Sequence, residues 1–215
     1  MLSPTSRSAS IPNGCVQDSE RTAPISAIER IRAERLVAIL RRVEDVDARV
    51  AALAGAGLGI VEITLDDPGA LGAIERARAR GDVTVLAGTV RTAAQADAAA
   101  AAGAEAIVGP ALSLDVLERA DALELPAIPG AFTPSEVERA WSAGAALVKL
   151  FPASLGGPHY VRDLLAPLAD VPLLVSGGVD AGNARAFLDA GAVAVGIGSA
   201  LGDDPAAALA AVRRA

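Results

Sequence analysis

Lys149 sits inside the apolar run ALVKLFPAS (146–154) and is the only lysine among 19 basic residues; the other 18 are arginine. A chain that uses arginine for its surface cations has kept one amine. A lysine amine can lose its proton and attack a carbonyl carbon, which a guanidinium cannot do. A second ionisable group, Glu62, occurs in the equally apolar run GIVEITL (59–65). Period-two alternation puts Glu62 and Thr64 on one face of their run, and Lys149 and Phe151 on one face of theirs. If both faces point inward, a carboxylate and an amine meet in a nearly dry cavity. Such a pair can be a structural ion pair or a nucleophile with its proton-transfer partner. The uniqueness of the lysine favours chemistry, because arginine is the commoner choice for a purely structural buried pair.

The elements that must position these residues repeat one pattern. Short apolar runs occur at 36–40, 59–65, 83–90, 106–112, 126–132, 146–152, 172–179 and 193–201. Between them lie Ala-rich segments such as 45–57, 93–104 and 134–145, which have good helix formers and often end on glycine. Eight strands alternating with helices predict parallel βαβ units closed into an α/β (β/α)8 TIM barrel, with an extra N-terminal helix over 26–35 closing its bottom. A doubly wound open sheet competes, but it normally carries a GxGxxG turn after its first strand, and here that strand is followed by RRVEDV. Residues 1–25, rich in Ser, Pro and polar types, read as a disordered tail and 26–215 as a single barrel.

In this fold the active site lies at the C-terminal ends of the strands. The polar or distinctive residues there are Arg41, Glu62, Thr64, Thr89, Pro110, Phe132, Thr133, Lys149, Phe151, Ser176 and Ser199, which predicts one shared mouth. The seventh and eighth runs end in glycine turns, SGG (176–178) and GIGSAL (196–201), where backbone N–H groups can approach a phosphate. Glycine could equally serve only the tight turns. His159 and Trp141 fall on helices and read as structural.

Composition narrows the partners. The net charge of −7 offers no basic face for nucleic acid or an anionic membrane. Apolar runs fall short of the roughly 18–20 residues that a spanning helix needs, so a soluble, cytoplasmic protein is expected. One cysteine and one histidine supply no metal-ligand set of the zinc type.

The segments VEITL, AGTV, GPAL, PGAFTPSE, LVKLFPAS with GGPHYV, SGGV and GIGSAL, in that order, resemble the 2-keto-3-deoxy-6-phosphogluconate (KDPG) aldolases, a family that includes 4-hydroxy-2-oxoglutarate (KHG) and phosphogalactonate aldolases. The resemblance covers about residues 26–215. It implies a barrel, usually a homotrimer, that performs class I aldol cleavage of a keto acid or sugar phosphate without metal or cofactor. It implies that Lys149 forms the Schiff base and that Glu62 shuttles protons. Arg41 would hold the pyruvyl carboxylate with Thr89 nearby, and Phe151 would pack beside the imine. Pro110 and Ser176 would complete the substrate site, and Gly177, Gly178, Gly198 and Ser199 would bind phosphate. Three positions depart from the family pattern: Asp66 stands where many members have Arg, Leu86 replaces the usual Gly before AGT, and Ser176 replaces Thr. An acid at 66 is expected to repel an anionic substrate. Two rival readings are a phosphate-binding isomerase or epimerase with Glu62 as carbon-acid base, and a barrel that binds a sugar phosphate without cleaving it.

Overall fold

Ser26 opens the first helix by a reciprocal cap, its hydroxyl accepting from Glu29 N while the Glu29 carboxylate accepts from Ser26 N. The computed structural model describes residues 26–202 and 205–213; the expected N-terminal tail lies outside the described residues. Helix α1 (Ala27–Glu34) ends where Arg35 turns into the left-handed region at φ 59°. The chain then enters strand β1 (Leu36–Leu40).

The strands that follow are β2 (Ile60–Thr64), β3 (Thr84–Gly88), β4 (Ala106–Val108), β5 (Ala127–Ile128), β6 (Gly130–Ala131), β7 (Val148–Leu150), β8 (Leu173–Ser176) and β9 (Ala194–Ile197). Between them run α2 (Val46–Gly55), α3 (Ala70–Arg80), α4 (Ala93–Ala101), α5 (Leu114–Ala122), α6 (Pro134–Ser142), α7 (Gly157–Leu165) and α8 (Ala184–Asp189), with α9 (Pro205–Arg213) last. All strand pairs are parallel, in the order β5-β4-β3-β2-β1-β9-β8-β7-β6.

The two ends of that order, β5 and β6, are halves of the fifth apolar run, split at Pro129, which has no N–H for the ladder. On one side Gly109 N donates to Ile128 O (3.1 Å), and on the other Lys149 N donates to Pro129 O (2.9 Å). The sheet therefore closes on itself through Pro129, as an eight-strand barrel with one interrupted strand.

Alternation along the strands makes two apolar layers. Val61, Ile63, Val85, Ala87, Val148 and Leu150 pack outward under the helices. Val37, Ile60, Leu86, Val108, Ile128, Leu147 and Leu174 fill the barrel interior together with Ala27 and Ile31 of α1. The first helix thus plugs the bottom, with Ile31 fully buried. The interior is dry below and polar only one layer further up, where the same alternation brings Glu62 and Lys149.

Candidate active site

Glu62 occupies the middle of β2 and Lys149 the middle of β7, on opposite sides of the barrel and 87 residues apart in sequence. Lys149 Nζ lies 3.1 Å from Glu62 Oε1 and 3.2 Å from Oε2, so the amine bridges both oxygens. Their side chains are 6% and 0% exposed. Space for the carboxylate comes from Gly88 at the end of β3: a Cβ there would lie 2.3 Å from Glu62 Oε1 and 2.6 Å from its Cγ. Leu86, two residues earlier on the same strand, has no exposure and belongs to the apolar interior below the pair. The Phe151 ring centroid is 5.8 Å from Nζ, at the outer limit of a cation–π contact.

Above the pair opens a cavity of about 660 Å³ at the C-terminal ends of the strands. It is lined by Arg41 after β1, Lys149 and Phe151 of the β7 segment, Ser176, Gly177 and Gly178 at the end of β8, and Gly198 and Ser199 after β9. Gly177 and Gly178 both have positive φ (86° and 81°), and a Cβ at 178 would lie 2.5 Å from Ser154 Cβ. The turn therefore requires glycine for its own geometry, whatever it binds. A second cavity of about 690 Å³ lies at the other end, between α5, α6 and the starts of their following strands, and contains neither Lys149 nor Arg41.

Arg41 is held from two sides. Its Nη2 donates to Thr89 Oγ1 (3.0 Å) and its Nη1 to Asp66 Oδ2 (3.4 Å), while Arg42 Nε lies 3.6 Å from the same Asp66 oxygen. Thr89 takes φ 59°, uncommon for a branched side chain, at the point where its hydroxyl meets the guanidinium. The expectation that Asp66 repels anions needs correcting: its charge is opposed by two guanidinium groups. The neighbouring Thr64 hydroxyl, then Arg41 and Arg42, hold the Asp66 carboxyl below its ordinary value against the opposing effect of burial. The one proton of that hydroxyl has two acceptors within reach, the Asp66 carboxylate and Leu40 O at 3.2 Å. Asp66 Oδ1, by contrast, is buried with no hydrogen-bond partner among the described residues.

A buried amine in contact with a carboxylate beneath a cavity can add to a carbonyl carbon. A family model described as KDPG and KHG aldolase matches residues 27–213. The chain belongs to that aldolase family. It is an aldolase, and so a lyase. A 2-dehydro-3-deoxy-6-phosphogalactonate aldolase of Escherichia coli (strain K12) is 37% identical over 171 residues, covering 77% of this chain and 83% of the relative. A 2-dehydro-3-deoxy-phosphogluconate aldolase of Haemophilus influenzae is 34% identical over 165 residues, covering 75% and 78%. The crystal structure of a Legionella pneumophila KDPG aldolase, with pyruvate captured at low pH as a covalent carbinolamine intermediate, superposes with a TM-score of 0.75 at 26% identity, covering 86% of this chain and 94% of that one.

Within this aldolase, the residues expected at one mouth divide into three groups. Arg41, Lys149, Phe151, Ser176, Gly177, Gly178, Gly198 and Ser199 line the cavity directly. Glu62 and Thr89 reach it through hydrogen bonds to Lys149 and Arg41. Thr64, Pro110, Phe132 and Thr133 stand apart from its lining, Thr64 with its hydroxyl on Leu40 O. A Cβ on Gly130 would lie 2.3 Å from Pro110 O, so Pro110 backs the split strand. Phe132 stacks near Tyr160 at 5.2 Å, and Thr133 caps α6. The sequence reading missed Gly88 and Arg49. A lone glycine inside a strand pattern is a recognisable sign of close approach. Arg49 gave no sign, because its place on α2 says nothing about what α2 faces. Among the described residues no group of three His, Cys, Asp or Glu is placed to hold a metal ion, and no helix is long and apolar enough to cross a membrane.

Proposed function

We propose that this protein is a class I aldolase that cleaves 2-dehydro-3-deoxy-6-phosphogluconate to pyruvate and glyceraldehyde 3-phosphate through an imine on Lys149. The observation that carries the reading is the bidentate contact of Lys149 Nζ with Glu62, at 3.1 and 3.2 Å, buried at the floor of a cationic cavity.

The contact provides a route for each proton. Lys149 passes a proton to Glu62 and its lone pair adds to the C2 ketone carbon, giving a carbinolamine. The C2 oxygen takes one proton from the adduct nitrogen and one returned by Glu62, leaves as water, and the iminium remains. Glu62 then takes the proton of the C4 hydroxyl as the C3–C4 bond breaks, and that electron pair moves into the iminium to form an enamine. The aldehyde departs. Protonation at C3 and hydrolysis release pyruvate and restore the amine. Arg41, steadied by Thr89 and Asp66, binds the C1 carboxylate by charge-assisted hydrogen bonds, and Phe151 covers the imine. Ser176 and the glycine turns hold the remainder of the chain in line for cleavage.

The test is intact mass after incubation with pyruvate and borohydride. Lys149 carries the only side-chain amine in 215 residues, so the expected result is one reduced adduct mapped to Lys149. Lys149→Arg keeps a cation beside Glu62 but cannot form an imine; it is expected to lose both adduct and turnover while remaining folded by circular dichroism. A wild-type protein that cleaves substrate without trapping would sink the imine mechanism, and one that binds the substrate without cleaving it would sink this choice of substrate.

The C4 epimer, 2-dehydro-3-deoxy-6-phosphogalactonate, gives the same two products, and the Escherichia coli relative at 37% identity is named for it. Cleavage rates on the two epimers therefore belong in the same experiment. A homotrimeric state and a cytoplasmic location are part of the proposal and rest on the family resemblance; sedimentation velocity is expected to give three times the mass of one 21.5 kDa chain.

A further inference from the structure

We infer that Arg49 binds the terminal phosphate of the substrate and sets the preference of this aldolase for a phosphorylated sugar acid. The inference rests on the aldolase reading for the other end of the substrate. Arg49 lies on α2, four residues after its cap Asp45, and lines the same cavity as Gly178, Gly198 and Ser199. Its Nη2 donates to Gly202 O, so the side chain reaches from α2 across to the loop that follows β9.

Charge makes this placement informative. Among the described residues the cavity is lined by three cations, Arg41, Arg49 and Lys149, and by no carboxylate, in a chain whose net charge is −7. Two of the three are already opposed: Lys149 faces Glu62, and Arg41 faces Asp66. Arg49 meets no carboxylate among the described residues, only the neutral carbonyl of Gly202. A guanidinium has five N–H donors in a planar fork suited to phosphate oxygens, and one of them is used. The cavity thus offers cationic ends to a ligand that is anionic at both of its own: a carboxylate toward Arg41 and a phosphate toward Arg49. The glycine turns add backbone N–H groups at the second end. Because Gly177 and Gly178 are required by turn geometry in any case, the guanidinium is the group that distinguishes a phosphate from a neutral hydroxyl there.

A purely structural role, pinning the Gly202 loop, is the alternative, and the two separate by substrate. In the full chain, Arg49→Leu is expected to lower the ratio of kcat/KM for the 6-phosphorylated over the unphosphorylated 2-keto-3-deoxy sugar acid by about 10- to 100-fold, with Arg49→Lys recovering part of it. Calorimetric titration with inorganic phosphate is expected to show binding to the wild type that weakens by a similar factor in Arg49→Leu. An equal proportional loss on both substrates, or phosphate affinity that is absent from the wild type or unchanged in the variant, overturns the inference. A wild type that binds phosphate but traps no pyruvate on Lys149 removes the aldolase mechanism, and the titration still decides Arg49.

Discussion

Gly88 shows how much of the site depends on what a residue lacks. The Glu62 carboxylate occupies the space that any side chain at 88 would need, with 2.3 Å between a built Cβ and Oε1. Gly88 is not among the positions of positive φ, so alanine is compatible with its backbone, and the three nearest atoms to a Cβ there all belong to Glu62. Gly88→Ala is therefore expected to push the carboxylate away from Lys149. Proton transfer by a positioned group typically contributes about 10²–10⁴-fold, so a loss of about 100-fold in kcat is expected. Overpacking adds about 1–3 kcal/mol of destabilisation, measurable by denaturant unfolding. Turnover near the wild-type rate would show that Glu62 need not touch Lys149. At the same scale, Asp66 illustrates the limit of judging a residue by its charge. Alone it would oppose an anionic substrate; set between Arg41 and Arg42 it anchors the guanidinium proposed to meet the substrate carboxylate.

Helix α6 shows how an element is fixed at the edge of the site without contributing to its chemistry. Thr133 Oγ1 accepts from Glu136 N, and the Glu136 carboxylate accepts from the N–H groups of Thr133 (2.8 Å) and Phe132 (3.0 Å). These backbone donors, with the Thr133 hydroxyl, hold the Glu136 carboxyl below its ordinary value. Because the folded value is the lower one, the cap's contribution is fully present above the unfolded value near 4.5 and is lost as pH falls through the folded value. Glu136→Gln should cost about 0.5 kcal/mol at neutral pH, modest because the carboxylate is open to water, and the difference from wild type should shrink toward pH 3. A difference that stays constant from pH 7 to pH 3 would mean that the carboxylate's charge does not strengthen the cap. The segment 129–136 was among those that resembled the aldolases, yet its Thr133 serves the helix start and Phe132 the packing against Tyr160. Strand-end position alone could not separate such residues from those that face substrate.

On the scale of the whole molecule, the barrel, its parallel order and the inward faces of the second and sixth runs were legible in the sequence, because each follows from local periodicity. Alternating apolar residues, helix formers and terminal glycines repeat along the chain and constrain the fold before any long-range contact is known. The same local logic turned Glu62 and Lys149 inward and put Phe151 and the glycine turns at the strand ends. Closure through Pro129 was less legible: the apolar run 126–132 looks continuous, and only ladder bonds on both sides show a strand broken in two. Contacts across the barrel were not legible at all. That Lys149 meets Glu62 across 87 residues, that Gly88 clears the space, that Asp66 is opposed by two guanidinium groups and that Arg49 faces the cavity with no carboxylate among the described residues all depend on how strand stagger and helix packing align distant positions. By itself the sequence determined the repeat, the inward-facing residues and the presence of a single side-chain amine. The tertiary structure alone decided which charges oppose one another and which cavity cation meets no carboxylate among the described residues, because pairing is a property of distances in space that no spacing along the chain fixes.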